Sequence, residues 1–370
     1  MKKQGLTFFE KIYLLIGFVL AFSLILGSIA GHTDPRNHVM IAFFGLAYPV
    51  LLVLNVVMIF LWITRGKLFF AIVTAAIIGM GWHALIATIS FTGEAGEGPK
   101  TAPDLVRMMT YNVHSFRPYD PGNDELTKHQ MLALVKNEDP DIICFQEYVS
   151  QRKGSFDVTD SLKRILNIRK PDNYFIPTTE SNSAANGMAI YSRYPIVNKG
   201  VIPFSNERGG NCGIFADVMV NNKVVRVYNV HMQSISFDKQ DYNYLEKVKA
   251  MEAEITPAKR ILGMLMTAFL RRSAQVDIMK AHMKTCTTPF IIAGDFNDTP
   301  ASYAVTQMTK TLNNSFVEKG IGLGRTYNGK FPNFQIDYIS ATKTIKIINH
   351  RIIEAKLSDH FPVRSDLRVN

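Results

Sequence analysis

Gly294-Asp295-Phe296-Asn297-Asp298-Thr299-Pro300, at the end of the apolar run Pro289-Phe290-Ile291-Ile292-Ala293, decides how the chain is read. An apolar run of strand length that stops at glycine and then presents Asp, Asn and Asp is a strand delivering polar groups to the rim of a sheet, where ligands reach them. There Asp295 can hold or deprotonate a water and the Asn297 amide can donate to a phosphate oxygen, a pairing suited to phosphoryl chemistry. Alone, the heptapeptide also fits an Asx-rich turn. The rest of the chain has to choose.

Towards the N-terminus lie three apolar runs, 11–31, 39–63 and 68–91, none containing Asp, Glu or Arg and with Lys11 only at an edge. A spanning helix needs roughly 20 residues, so residues 1–91 are expected to form three transmembrane helices. Lys2, Lys3 and Lys11 flank the first run, Arg65 and Lys67 separate the second from the third, and loop 31–38 carries only Arg36. The positive-inside rule then puts the N-terminus in the cytoplasm and everything after Phe91 outside it. Were the first run a signal peptide cleaved after Ser28-Ile29-Ala30, the final topology would be the same. Asn55 and His83 are expected to hydrogen-bond between helices; with no acidic residue in the runs, a coupled transport path is disfavoured.

The formal charge of +10 over 370 residues singles out no partner. Beyond residue 91 the chain carries 35 basic and 29 acidic residues without a polybasic run, weak support for nucleic-acid binding. Cys144, Cys212 and Cys286 are too few for a disulfide framework and lack zinc-site spacing. Buried thiols are expected, with a single disulfide left open.

Residues 92–104, TGEAGEGPKTAPD, read as a linker, and 105–370 as one domain in which apolar strands repeatedly end in polar signatures. Leu105–Met109 runs into Thr110-Tyr111-Asn112-Val113-His114, and a helix over Asp124–Lys136 leads to Asp141–Glu147. Gly187–Ser192 and Val224–His231 follow, then the run into Asp295, Phe334–Ile339, and a last strand opened by Ser358-Asp359-His360. Strand periodicity puts Val225, Val227, Asn229 and His231 on one face, and separates Phe361, Val363 and Leu367 from Arg364, Asp366 and Arg368. The expected fold is α+β: two mainly antiparallel sheets packed face to face and covered by helices. Within 241–285, Leu262, Leu265, Phe269, Val276, Met279 and Met283 share a helical face that would cover a sheet. The apolar Ile261–Leu270, near Lys259, Arg260, Arg271 and Arg272, also fits a lid touching a membrane.

The strand ends supply Asn112, Glu147, His231, Asp295, Asn297, Asp337, Asp359 and His360. Carboxylates and amides without a Cys or His cluster suit a hard cation held by oxygen, Mg²⁺ or Mn²⁺ rather than zinc. The ordered motifs TYNVH, FQE, NVHMQ, GDFND, IDYI and SDH resemble the endonuclease/exonuclease/phosphatase superfamily, which includes DNase I-like nucleases, sphingomyelinases and inositol-polyphosphate phosphatases. The resemblance spans about 104–370 and implies a four-layer αββα sandwich with its site at one edge. By resemblance, Glu147 is the main metal ligand, with Asn112 beside it and Asp359 completing the site. Asp295 positions or deprotonates the attacking water and Asn297 binds phosphate. His360, oriented by Asp337, stabilises the transition state, and His231 assists the leaving oxygen. His231 resembles the DNase I and sphingomyelinase branches more than the abasic-site nucleases, which carry Tyr there. His114 stands where several branches have an acid, and Gln335 where many have a basic residue.

The expectation is a membrane-anchored, divalent-metal-dependent phosphoester hydrolase with an extracytoplasmic catalytic domain, its partners being the bilayer and a phosphoester substrate; no protein partner is inferred. A lipid head group or other small phosphodiester fits the tether and the apolar segment around Phe269. Extracellular nucleic acid fits the basic balance and His231. A tethered non-catalytic binding module is the reading from another class, and the intact set of site residues argues against it.

Overall fold

The structure, a computed structural model, describes residues 8–91, 93, 96–119, 121–151, 158–168, 173–180, 184–205, 211–235, 241, 244, 255–329 and 334–369. It divides into two compact units: Met1–Thr88 with Thr299–Gln307, and Ile89–Asp298 with Met308–Asn370.

In the first unit, α1 (Phe8–Ile29) and α2 (Pro35–Thr64) are each long and apolar enough to cross a membrane. Helix α2 starts where the Asp34 side chain accepts from the Arg36 backbone N–H and Pro35 occupies the first turn, the residue types that open helices. The third expected span is broken: α3 (Leu68–Met80) and α4 (Trp82–Thr88) meet at 79° across Gly81. An apolar count does not register such a break, and Gly79 and Gly81 weaken helix continuity just there. Asn55 is buried and donates to the Leu20 carbonyl of α1 at 3.1 Å, the interhelical bond expected of it; His83 is exposed. Pro49 lies inside α2 and has no N–H to offer the carbonyl four residues back. That carbonyl, on Gly45, instead accepts from Thr299 Oγ1 at 3.1 Å. Gln307 Nε2 likewise donates to the Gly31 carbonyl at 3.0 Å.

The second unit is built from β1 (Ile89–Ser90), β2 (Val106–Asn112), β3 (Ile142–Gln151), β4 (Asn173–Glu180), β5 (Ala184–Ser192), β6 (Ile196–Pro203), β7 (Cys212–Val220), β8 (Lys223–His231), β9 (Phe290–Asp295), β10 (Asn313–Asn314), β11 (Gly322–Leu323), β12 (Asp337–Ala341), β13 (Ile345–Ile347), β14 (Arg351–Ile352) and β15 (Val363–Val369). One sheet runs β13-β15-β2-β3-β5-β4, with β14 beside β15; the other runs β10-β12-β9-β8-β7-β6. Each has one parallel pair among antiparallel ones, β2–β3 and β8–β9. A parallel pair needs a crossover, and α5 (Asp124–Glu138) and α7 (Ile255–Lys284) supply the two helices.

Alternation along the strands makes the layers. Met108, Cys144 and Ile190 of the first sheet meet Ile214, Val227 and Ile291 of the second in the central core. The first sheet's outer face, Tyr111, Phe145 and Tyr191, packs on α5 and on α6 (Thr159–Ile165) through Met131, Val135 and Leu162. Helix α7 lies over the second sheet, with Met279 against Gly213 and His282 against Phe215 and Tyr228. The four-layer αββα expectation is met. In α7 Leu265, Phe269, Val276 and Met279 are buried as expected, but Leu262 is exposed and Ile261 takes the inward position. Arg272, read above as a basic flank, is buried against Asp298 at 2.9 Å. Of the rest of 241–285, only 241, 244 and 285 lie within the described residues.

The expected linker is partly pinned: Gly98 and Gly96 carbonyls accept from Arg107 and Arg364, and Lys100 pairs with Asp141 at 2.7 Å. Arg364 and Asp366, on the β15 face opposite Val363 and Leu367, are buried in ion pairs with Glu138 and Arg107. All three cysteines are free thiols, Cys144 and Cys212 buried and Cys286 half-buried.

Candidate active site

The register of the second sheet sets three site residues side by side. His231 at the end of β8 is the partner of Asp295 at the end of β9, which is the partner of Asp337 at the start of β12. Register partners point to the same face of a sheet, so one row carries the Asp337 and Asp295 carboxylates and the His231 imidazole side by side. Gly294 permits the close approach of β8 and β9: its φ is 141° and a Cβ there would stand 2.0 Å from the Val230 carbonyl oxygen. Asn297, at φ 54°, folds back so that its backbone N–H and side-chain amide donate to Asp295 at 2.8 and 3.1 Å. The same amide nitrogen donates to the Met232 carbonyl at 3.0 Å. Both of its hydrogens are engaged, and Asn297 helps to orient Asp295.

The first sheet contributes Asn112, at the end of β2, and Glu147. Between Phe145 and Tyr148 the β3–β5 register slips, and Glu147 sits in this bulge at φ 51°. A bulge re-aims a side chain at the expense of ladder hydrogen bonds. Asn229, fully buried on β8, fills that gap from the other sheet, donating to the Phe145 and Ala189 carbonyls at 2.9 and 3.0 Å and accepting from Gln146 at 2.6 Å. Asn112 then joins the two halves, its amide donating to Glu147 and to Asp295, each at 3.2 Å.

The third contribution is the Ser358-Asp359-His360 turn. Ser358 Oγ donates to the Asn112 carbonyl at 2.9 Å, fixing the turn to the end of β2. His360 Nδ1 lies 3.0 Å from Asp337 and its Nε2 3.7 Å from Asp295. Thr326 supports both, accepting from the Asp337 N–H at 3.0 Å through Oγ1 and from the Phe361 N–H through its carbonyl. Tyr327 stacks edge-on against His360. His114 closes the open side, 3.7 Å from both Glu147 and Asp359.

All eight residues named from the sequence are thus drawn into one connected cluster. Asp295, Asp337 and His360 are buried while Glu147 remains 37% exposed, so the site has a buried wall and an open mouth. Burial pushes Asp295 up to about 6, helped by Asp337, while His360 and His231 oppose the rise. Burial depresses His360, but Asp337, Asp295 and Asp359 outweigh it and hold the imidazole well above its usual value. Glu147 moves the other way: burial raises it, and His114, His231 and Asn112 overcome that and hold it well below the carboxylate range. Interaction with Glu147 in turn raises His114.

Among the described residues, the ion-pair partners of Glu147, Asp295, Asp337 and Asp359 are imidazoles, with no Lys or Arg. Four carboxylates without a fixed cation suit an oxygen-bound divalent ion. Among the described residues His231 Nε2 is buried without a hydrogen-bond partner and stands 3.6 Å from Asp295 and 4.0 Å from Glu147, an orphan that a bound group would satisfy. The most compact acid–imidazole group, Asp295, Asp337 and His360, has its donor atoms within 4.8 Å of one another. Hydrogen bonds already occupy it, so Glu147 and Asp359, nearer the open mouth and with the buried Asn112 beside Glu147, fit a cation better.

Sequence reasoning missed Gln146, Asn229, Thr326 and Tyr327, which orient the site without facing its mouth. Asn229 alone carried a signal, a polar residue on the apolar face of its strand.

The Endonuclease/Exonuclease/phosphatase family model matches residues 109–360, and a domain of unknown function matches residues 10–88. No curated protein matches the chain. Among solved structures, an endonuclease/exonuclease/phosphatase from Beutenbergia cavernae aligns at 20% identity and TM-score 0.50, covering 72% of each chain. One from Bacteroides vulgatus aligns at 17% identity and TM-score 0.50, covering 72% of this chain and 99% of its own. Both are likenesses of fold.

Proposed function

The chain belongs to the endonuclease/exonuclease/phosphatase family, and on that footing we propose that it is a divalent-metal-dependent phosphoester hydrolase held at a membrane, acting on a lipid head group or other small phosphodiester. The observation that carries the reading is the meeting of four carboxylates, with imidazoles as their ion-pair partners, at the rim of two sheets. Asn112, Glu147 and Asp359 would hold Mg²⁺ or Mn²⁺. Such an ion neutralises phosphate charge and lowers the pKa of bound water.

The other residues divide the proton work. Asp295, raised to about 6, is ionised at neutral pH yet basic enough to take a proton from an attacking water. Asn297 and Asn112 keep its oxygens in place. His360, its Nδ1 held by Asp337, presents Nε2 as a donor to the charge that develops on the phosphoryl oxygens. His231 Nε2, without a hydrogen-bond partner among the described residues, is free to hydrogen-bond the leaving oxygen.

Placement outside the cytoplasm follows from the Lys and Arg pattern. The lipid reading rests on the apolar helices, since the inward side of α7 is spent on covering a sheet.

The test is hydrolysis by the full chain in liposomes, with Mg²⁺, Mn²⁺ or EDTA, of sphingomyelin, glycerophospholipids, a nitrophenyl phosphodiester and plasmid DNA. Metal-dependent release from lipid or the small diester, reduced at least about 100-fold by Asp295→Asn, is expected. Cleavage confined to DNA would make the chain a nuclease. Substrate binding without turnover in any arm would make it a binding module.

A further inference from the structure

We propose that His114 is itself a ligand of the divalent cation and that its imidazole turns the preference of the site from Mg²⁺ towards Mn²⁺. The inference rests on the reading above and deepens it, adding a nitrogen donor to an otherwise oxygen set.

Position is the first argument. His114 Nδ1 stands 3.7 Å from Glu147 Oε2 and 3.7 Å from Asp359 Oδ1, too far to hydrogen-bond either. Two donors bound to one ion at about 2.1 Å lie about 3 to 4 Å apart, so these separations suit a shared ion. Among the described residues His114 is paired with both of these carboxylates, and it joins them across the mouth. Access agrees with position: the His114 and Glu147 side chains are 39% and 37% exposed, whereas Asp295 is 1% exposed. A solvated ion arriving at the mouth meets His114 and Glu147 first.

The backbone is the second argument. His114, Ser115 and Phe116 have φ of 43°, 59° and 58°, three consecutive non-glycine residues in the left-handed region. L-residues rarely adopt it, and where they do the surroundings must hold them there. Here Phe116 is buried against Phe145 and Tyr148, its N–H donates to the Val113 carbonyl at 2.7 Å, and Ser115 Oγ accepts from Asn186 at 3.1 Å. The His114 N–H donates to Asn112 Oδ1 at 3.2 Å. A turn so fully supported delivers one side chain to the mouth, and that side chain is an imidazole.

The third argument is ligand chemistry. Mg²⁺ takes oxygen donors and gives up water reluctantly, while imidazole suits transition ions. A nitrogen among Asn112, Glu147 and Asp359 therefore strengthens Mn²⁺ binding more than Mg²⁺ binding.

The experiment is metal binding by the full chain in detergent, stripped with chelator and titrated separately with Mn²⁺ and Mg²⁺. Bound Mn²⁺ is then examined by pulsed electron paramagnetic resonance for coupling to ¹⁴N. The wild type should show a nitrogen coupling that survives His231→Ala and His360→Ala and disappears in His114→Ala. Mn²⁺ affinity should fall about tenfold or more in His114→Ala, with Mg²⁺ affinity nearly unchanged, and His114→Asp should move the preference to Mg²⁺. Retention of the coupling in His114→Ala, or equal weakening of both ions, overturns the assignment while leaving metal dependence intact. Failure of the wild type to bind either ion overturns metal dependence as well. Wild-type thermal midpoints in both His114 variants confirm that the turn still folds, and a lowered midpoint in His114→Ala shifts the decision to His114→Asp.

Discussion

Replacing Asn229 by Leu tests how the site is held together. The side chains are similar in size, so the change removes hydrogen bonds with little loss of packing. It takes the amide away from the Phe145 and Ala189 carbonyls and the acceptor away from Gln146, which keeps only Thr110 Oγ1 at 3.1 Å. Each of the two buried carbonyls loses a donor, at about 1.5 kcal/mol apiece, and the half-satisfied Gln146 amide adds about 1. A total near 4 kcal/mol is a large share of a domain's stability of about 5–15 kcal/mol. For a unit of this size it lowers the thermal midpoint by about 8–16 °C. Thermal unfolding of the full chain in detergent, followed by near-ultraviolet circular dichroism, reads this directly. Asn198→Leu, which removes an exposed side chain's bond to Asp217, serves as the control and should stay within about 0.5 kcal/mol. Because the lost bonds frame the bulge that aims Glu147, metal affinity should fall alongside stability. A loss below about 1 kcal/mol would mean that the β3–β5 bulge keeps its carbonyls satisfied without Asn229, and the account of how Glu147 is placed would be wrong.

Gly294→Ala puts a Cβ 2.0 Å from the Val230 carbonyl oxygen, a backbone atom that cannot yield, so the β8–β9 pairing should fail and folded yield should collapse; a wild-type midpoint would refute the close approach. His350 is buried and its pKa depressed by burial to about 3, with Ser315 and Phe316 packed on it and Glu97, Arg325, Arg351 and Glu354 around the adjoining groove. A depressed histidine leaves full stability above its unfolded pKa near 6.5 and loses it as pH falls, by on the order of 3 kcal/mol at pH 4; His350→Phe should flatten that acid limb in denaturation measured from pH 7 to 4. Arg107→Leu removes the ion-pair partner of buried Asp366 at 2.7 Å, leaving it only the Asn349 amide at 2.8 Å among the hydrogen bonds of the described residues, and should cost about 3–5 kcal/mol. Arg107→Leu with Asp366→Leu should recover much of this in the same unfolding assay, and a double variant as unstable as the single would deny the pairing its role.

Local chemistry made much of this protein legible. Apolar runs of membrane length marked α1 and α2, and strand periodicity separated Val363 and Leu367 from Arg364 and Asp366 before any partner was known. The polar residues at strand ends named eight residues that the fold draws into one cluster, because a strand that stops at a rim needs no tertiary information to end in Asp, Asn or His. What residue types leave open is relation across space. Nothing near residue 231 in sequence says that it pairs with Asp295 and Asp295 with Asp337; interstrand register does, and it depends on contacts between residues far apart in the chain. The bulge at Glu147, the Asn229 amide that fills it and the Thr326 hydroxyl that holds Asp337 exist only once two sheets are stacked. The break at Gly81 and the burial of Arg272 against Asp298 belong to the same class, since hydropathy measures the cost of leaving water and not which neighbour then receives the group.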